Sequence, residues 1–195
     1  MLKKIATLIL ILLIGPVLGS VFGIAHDQIT YTISEEYYTK FKFFQFGLMN
    51  WGWGVNVGSG KAPEIILENP RSGVMVVGIL ATWWVGFIIS ILLGVIGLIH
   101  KTAKDMFRVT LKAMIWNIVF ALLTGLFGLV YGKFFLSYTP SLWFLPDNIK
   151  DRTAFEMVGS MHTFSYLGGF LGLLFGIGYS LRERWKANNI ETQKV

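Results

Sequence analysis

The sequence predicts an all-α membrane protein: a bundle of four transmembrane helices with glycine-ridge packing and a small β-hairpin-like region outside the bilayer. Three observations lead there. Hydrophobic residues make up 54% of the 195 positions, and the mean hydropathy is +0.60. Four apolar runs, at residues 5–25, 74–99, 109–135 and 157–181, each reach the roughly 20 residues that a spanning helix needs. Each run also carries small residues four apart. These are Gly15, Gly19 and Gly23; Gly78, Thr82, Gly86, Ser90 and Gly94; Ala121 with Gly125 and Gly128 with Gly132; and Gly168, Gly172 and Gly176. In lipid, helices associate largely through close packing, and such rows let backbones approach.

Charge placement sets an orientation. Lys3 and Lys4 precede the first run. Lys101, Lys104, Arg108 and Lys112 flank the short loop 100–108, and Arg182, Arg184, Lys186 and Lys194 follow the last run. With Asp105, Glu183 and Glu191 counted, this side carries a net +7 and the other side −1. Basic residues favour the cytoplasmic side. Both termini, the loop 100–108 and the tail 182–195 are therefore expected in the cytoplasm, with loops 27–73 and 136–156 exported. Residues 1–195 read as one integral membrane domain. The formal charge of +6 is mostly this bias, which removes the case for nucleic acid. The partners expected are the lipid bilayer and either another protein or another copy of the chain. The sequence has no cysteine, which excludes disulfides, Cys-ligated zinc, iron–sulfur clusters and a thiol nucleophile.

The first run contains Pro16, which a membrane helix tolerates when neighbours satisfy the freed carbonyl. Lys3-Lys4, the apolar run and Gly23-Ile24-Ala25 also fit a cleaved secretory signal. The run is longer than the about 7–15 residues of such a core, so an uncleaved anchor is expected. Ile29, Tyr31 and Ile33 alternate with Thr30 and Thr32, which predicts a strand, with Lys40-Phe41-Lys42-Phe43 as its return. A helix capped by Ser34, with Glu35 and Glu36 in its first turn, is the competing reading. Asn50-Trp51-Gly52-Trp53-Gly54 reads as an interfacial loop. Ile65-Ile66-Leu67, between the breakers Gly58-Ser59-Gly60 and Asn69-Pro70, reads as a further short strand. Asn117, inside the third run, is expected to hydrogen-bond between helices. Tyr138, Pro140, Trp143 and Pro146 give the second exported loop an interfacial composition as well.

His26 and His162 fall on the same side as Asp27, Glu35, Glu36 and Glu156. Two imidazoles with carboxylates suit zinc, iron or manganese, so His26, His162, Glu35, Glu36 and Glu156 form the candidate metal set. The alternative is histidines hydrogen-bonded to a carboxylate or a carbonyl. A bis-histidine haem needs both rings at similar depth on facing helices, and His100 lies at the opposite end. Cleavage after Ala25 would make His26 a chelating N-terminal residue. The glycine-rich runs follow no strand, so they are not dinucleotide fingerprints, and phosphate-loop, His-Glu-x-x-His and Gly-x-Ser-x-Gly motifs are missing. The runs hold almost no charge in their middles, which argues against an ion or proton path. Tyr31, Tyr37, Tyr38, Trp51 and Trp53 form the expected partner surface. The function read from this is a small scaffold, assembly or accessory subunit with no catalysis of its own. The alternative is a metal-, haem- or quinone-binding redox or enzyme component using His26 and His162. An envelope-lipid binding module, resting on the aromatic loops, is a third. The separation of the two imidazole rings discriminates the first two.

The stretch His26-Asp27-Gln28-Ile29-Thr30-Tyr31, followed by Ser34-Glu35-Glu36-Tyr37-Tyr38-Thr39-Lys40-Phe41-Lys42-Phe43, resembles the opening of a family of uncharacterised bacterial four-helix inner-membrane proteins. The likeness covers residues 15–47. It implies an inner-membrane location and carries no activity with it. The layout of short tail, large exported loop, tight cytoplasmic loop and smaller exported loop is similar to that of the claudins. Their exported Trp, Gly-Leu-Trp and paired-Cys pattern is missing here, so that likeness is one of topology alone.

Overall fold

In chain order, the computed structural model begins with a long helix α1 (Leu2–Ile33). A compact segment follows: α2 (Glu35–Tyr37), a π turn (Tyr38–Lys42), α3 (Phe43–Gln45) and a 3-10 turn (Leu48–Trp51). Strands β1 (Gly54–Asn56) and β2 (Ile65–Leu67) come next. Then come α4 (Pro70–Gly97), α5 (Ala103–Phe134), a 3-10 turn (Leu136–Tyr138) and α6 (Arg152–Thr192). The structure describes residues 1–139, 143 and 145–192; Pro140 and Lys194 lie outside them. The chain is 80% helical, and α1, α4, α5 and α6 are each long and apolar enough to cross a membrane.

The runs 5–25 and 157–181 sit inside α1 and α6, while the runs 74–99 and 109–135 reach just past the ends of α4 at Gly97 and α5 at Phe134; capping chemistry sets several ends. Asn69 accepts from Ser72 N ahead of α4, with Pro70 in the first turn, and Thr102 accepts from Asp105 N ahead of α5. Side-chain oxygens and an early proline serve the free amides of a helix start in this way.

The strand expected at 29–33 does not form. These residues are the last turns of α1, and 40–43 is helical too. Ile29 is 49% exposed while Thr30 is fully buried, the reverse of the predicted alternation. Thr30 tolerates burial because its hydroxyl is satisfied by His26 O at 3.1 Å and by the Tyr38 hydroxyl at 2.6 Å. The competing reading is the one that forms: Ser34 Oγ accepts from Tyr37 N at 3.3 Å. The hairpin lies further on. β1 and β2 pair antiparallel, with Gly54 opposite Leu67, Val55 opposite Ile66 and Asn56 opposite Ile65, so the strand expected at 65–67 is present.

The long helices pack as two close pairs, α1 along α4 and α5 along α6, with sparse contact between pairs and least between α1 and α6. In the first pair, a Cβ on Gly78 would lie 2.6 Å from Gly23 O, and one on Gly19 would lie 2.5 Å from Thr82 O. Thr82 Oγ1 donates to Gly19 O at 2.8 Å across the same contact. In the second pair, a Cβ on Gly168 would lie 2.8 Å from Ala121 Cα, and one on Gly172 would lie 2.8 Å from Asn117 Cα. Asn117 Nδ2 donates to Gly169 O at 2.6 Å. Gly94 and Gly176 face side chains instead, Leu8 for the first and Leu93 with Ala113 for the second.

One end of the bundle is closed by the compact segment and the hairpin. Tyr37, Tyr38, Phe43, Leu48, Ile65 and Leu67 bury against Val74, Val77, Phe155 and Val158. Glu36 ties this layer to the start of α6. Its carboxylate accepts from the Lys40 ammonium, from Lys150 N at 3.0 Å and from Asp151 N at 2.8 Å. Burial raises the Glu36 pKa, but these donors outweigh it and hold the group below the ordinary glutamate value. A lowered folded-state pKa stabilises above the unfolded value and loses that stability as pH falls through the folded one. Hydrogen-exchange protection of the Lys150 and Asp151 amides, corrected for intrinsic rates, is therefore expected to fall on acidification. In Glu36→Gln it is expected to be low already at neutral pH. Unchanged protection in that variant would refute the tie.

Candidate metal centre

Because α1 continues past residue 25, its last turns present Gly23, His26, Asp27 and Thr30 on one buried face, at the three-, four- and seven-residue spacing of a helix. On α6, Val158, His162 and Ser165 share a buried face in the same way. The two faces meet. His26 and His162 are in edge-to-face contact, with ring centroids 4.7 Å apart and planes at 86°. His26 Nδ1 lies 3.1 Å from Asp27 Oδ1, and His162 Nε2 lies 3.2 Å from the same oxygen. All three residues are under 9% exposed, and one ligand atom from each lies within 4.8 Å of the others.

Proton bookkeeping makes this cluster unusual. His162 Nδ1 is 2.9 Å from Val158 O, a carbonyl that only accepts, so Nδ1 carries a proton. In a neutral ring, Nε2 then points a lone pair at Asp27 Oδ1, which is also an acceptor. The His26 side differs, because Ser165 Oγ, 3.1 Å from His26 Nε2, is a hydroxyl that donates as well as accepts, so His26 Nδ1 is free either to donate to Asp27 or to offer a lone pair. Asp27 Oδ2 is buried with no hydrogen-bond partner among the described residues. The lone pairs that converge between His162 Nε2 and the Asp27 carboxylate are of the kind a cation satisfies. Metal–ligand bonds of about 2.0–2.2 Å hold neighbouring ligand atoms roughly 3.0–3.5 Å apart, which matches the two measured separations. Val158 O and Ser165 Oγ then stand where a metal site needs partners for the outer ring nitrogens.

The surroundings are aromatic. Tyr37 stacks on His162 at 5.1 Å and 30°, and Phe22 lies 5.5 Å from His26. Burial pushes the Tyr37 and Tyr38 phenols up, so both stay neutral. Lys42 is buried nearby, and burial pushes it down. Its ammonium donates to Gln45 Oε1 at 2.9 Å rather than to Asp27. Below the cluster, a cavity of about 220 Å³ runs between the two helix pairs, lined by Leu18, Phe22, Val85, Ile89, Met114, Ile118 and Phe170.

The structure brings His26 and His162 together but not with the glutamates of the predicted metal set. Glu35 accepts from the Tyr31 hydroxyl, Glu36 from the loop amides, and Glu156 from Arg152 at 3.0 Å. Asp27 takes their place. The sequence places Asp27 on the same side as the glutamates but does not single it out; on the continued helix, His26 and Asp27 both turn toward α6. The signal that would have found it is the spacing Gly23, His26, Asp27, Thr30. Of the residues expected on a partner surface, Tyr31, Tyr37 and Tyr38 are buried, while Trp51 and Trp53 are 55% and 43% exposed. Rings in edge contact around one carboxylate leave no space for a haem between them. No family model matches this chain, and neither does any curated protein or solved structure.

Proposed function

We propose that this chain is an integral membrane protein that holds one divalent transition-metal ion between α1 and α6, through His26 Nδ1, Asp27 Oδ1 and His162 Nε2. The convergence of these three buried atoms, with no proton available between Asp27 and His162 in its neutral form, is the observation that carries the reading. Two imidazoles and one carboxylate suit zinc, iron(II) or manganese. Three protein ligands leave coordination positions open, the pattern of reactive rather than structural centres. A bound ion supplies a Lewis acid there. The chain's own residues fix the ring tautomers, hold the carboxylate and keep water out.

In the same reading, the charge bias supports cytoplasmic termini and a metal toward the exported face, and the resemblance of residues 15–47 supports a bacterial inner membrane. The rows of small residues are then what holds each helix pair together in lipid, and Trp51 and Trp53 sit at the membrane–water interface.

Elemental analysis after purification in mild detergent tests the proposal. About one zinc, iron or manganese ion per chain is expected, and none in the His26→Ala, His162→Ala double variant. A wild-type chain that takes up none of the three when they are supplied would refute it. Co-purification of such a metal-free chain with a protein partner would restore the scaffold reading.

A further inference from the structure

We propose that the cavity beneath the metal centre takes the tail of a single-chain fatty acid, whose carboxylate completes the coordination of the ion. The head of this inference rests on the metal reading; the tail rests on the cavity alone. The cavity follows α1 from His26 to Gly15 and α6 from His162 to Leu173. Each is twelve residues, whose eleven steps span about 16 Å of helix, close to one leaflet of a roughly 30 Å hydrocarbon core. Its wall is mostly apolar, and Asn117 is engaged with Gly169 O, Thr82 with Gly19 O and Gly78 O, and Ser165 with His26. Tyr166 adds one hydroxyl at the exposed edge; the rest of the wall offers nothing to a polar ligand. The volume of about 220 Å³ falls below the roughly 300–1,000 Å³ of common small-molecule pockets. It suits one slim chain, not a two-chain phospholipid or a flat macrocycle.

The way in is lateral. α1 and α6 scarcely touch, and the exposed residues Tyr166 and Phe170 on α6 line the cavity beside that seam, where a lipid tail in the bilayer meets it first. The choice of head follows from charge. Two neutral imidazoles and one carboxylate leave a divalent ion with one net positive charge. An unbalanced charge buried in apolar surroundings is costly, and a monoanion removes it, which an alcohol or a quinone does not.

Gly169 provides a test. It lines the cavity, and a Cβ added there meets nothing within 4 Å, so leucine at this position grows into the space assigned to the tail. Gly178, on the same helix, is equally open but does not line the cavity. Radiolabelled laurate is titrated onto metal-loaded protein in nanodiscs. About one equivalent is expected for wild type and Gly178→Leu, and at least tenfold weaker binding for Gly169→Leu, with metal content unchanged in all three. Equal binding by Gly169→Leu, or uptake no greater than by empty nanodiscs, overturns the proposal and leaves the metal reading standing. Displacement by dodecanol or a short-chain quinone as effective as by unlabelled laurate overturns the anionic head. So does equal laurate binding by the metal-stripped chain. Should Gly169→Leu fail to retain metal, Gly169→Ala gives the graded readout: weaker laurate binding supports the slot, and unchanged binding overturns it.

Discussion

Gly86→Leu is expected to unfold well below wild type and to lose its metal. A Cβ at residue 86 collides with the Gly15 carbonyl oxygen and lies 3.0 Å from both the Gly15 carbonyl carbon and Gly19 Cα. All three are backbone atoms of α1, which no rotamer change moves aside. Overpacking a close contact costs about 1–3 kcal/mol and sometimes more; with backbone on both sides, the upper end is expected. Displacing α1 also displaces two of the three ligands. Gly94→Ala is the mild comparison, because its new methyl meets Leu8 Cδ1, the far end of a flexible side chain, at 2.7 Å and Ile11 Cγ2 at an ordinary 3.4 Å. Thermal unfolding in detergent of the metal-stripped proteins, with metal content measured separately, checks both. A wild-type midpoint for Gly86→Leu would show that α1 does not need the close approach.

Asp27→Asn is expected to separate metal binding from folding. The amide keeps the shape of the carboxylate and removes its charge. Disturbing even an outer partner of a metal ligand costs about 10–100-fold in affinity, so loss of the ligand charge itself is expected to cost more than about 100-fold. The metal-free chain behaves oppositely. An amide N–H can donate to His162 Nε2, where a neutral His162 and the wild-type carboxylate set two acceptors 3.2 Å apart. An unsatisfied buried polar group costs about 1–3 kcal/mol, so metal-stripped Asp27→Asn is expected to melt no lower than metal-stripped wild type. Isothermal titration with zinc and a melting curve of each stripped protein measure the two effects. Undiminished zinc affinity would remove Asp27 from the ligand set.

The long helices were legible because runs of twenty or more apolar residues leave few alternatives. Their ends were not. Residues 26–33 mix β-branched and polar side chains, and local alternation favours a strand there. What decides is tertiary: Thr30 finds His26 O and Tyr38, and the inner face of α1 finds α6. The rows of small residues were visible in all four runs, but a row names no partner, so the pairing of α1 with α4 and α5 with α6 had to come from the structure. The histidines stood out as rare polar residues at matching depth. Asp27 did not, because its role depends on a helix continuing where the composition turns polar. The tyrosines were assigned to a surface because aromatic residues in a loop suggest an interface; Tyr37 and Tyr38 instead fill the layer above His162.

The proposed ligands His26 and Asp27 belong to α1, and His162 belongs to α6, 135 positions after Asp27 in the chain. α1 and α6 have few other contacts, so the ion proposed between them would act as a clasp across the weakest seam of the bundle. At a free concentration a hundredfold above its dissociation constant, a ligand that binds only the folded form adds about 2.7 kcal/mol. That gain is realised only once α6 has been made and has docked against α1. A chain halted before residue 162 would have no clasp, so on the proposed reading metal occupancy would mark molecules in which α6 has closed against α1.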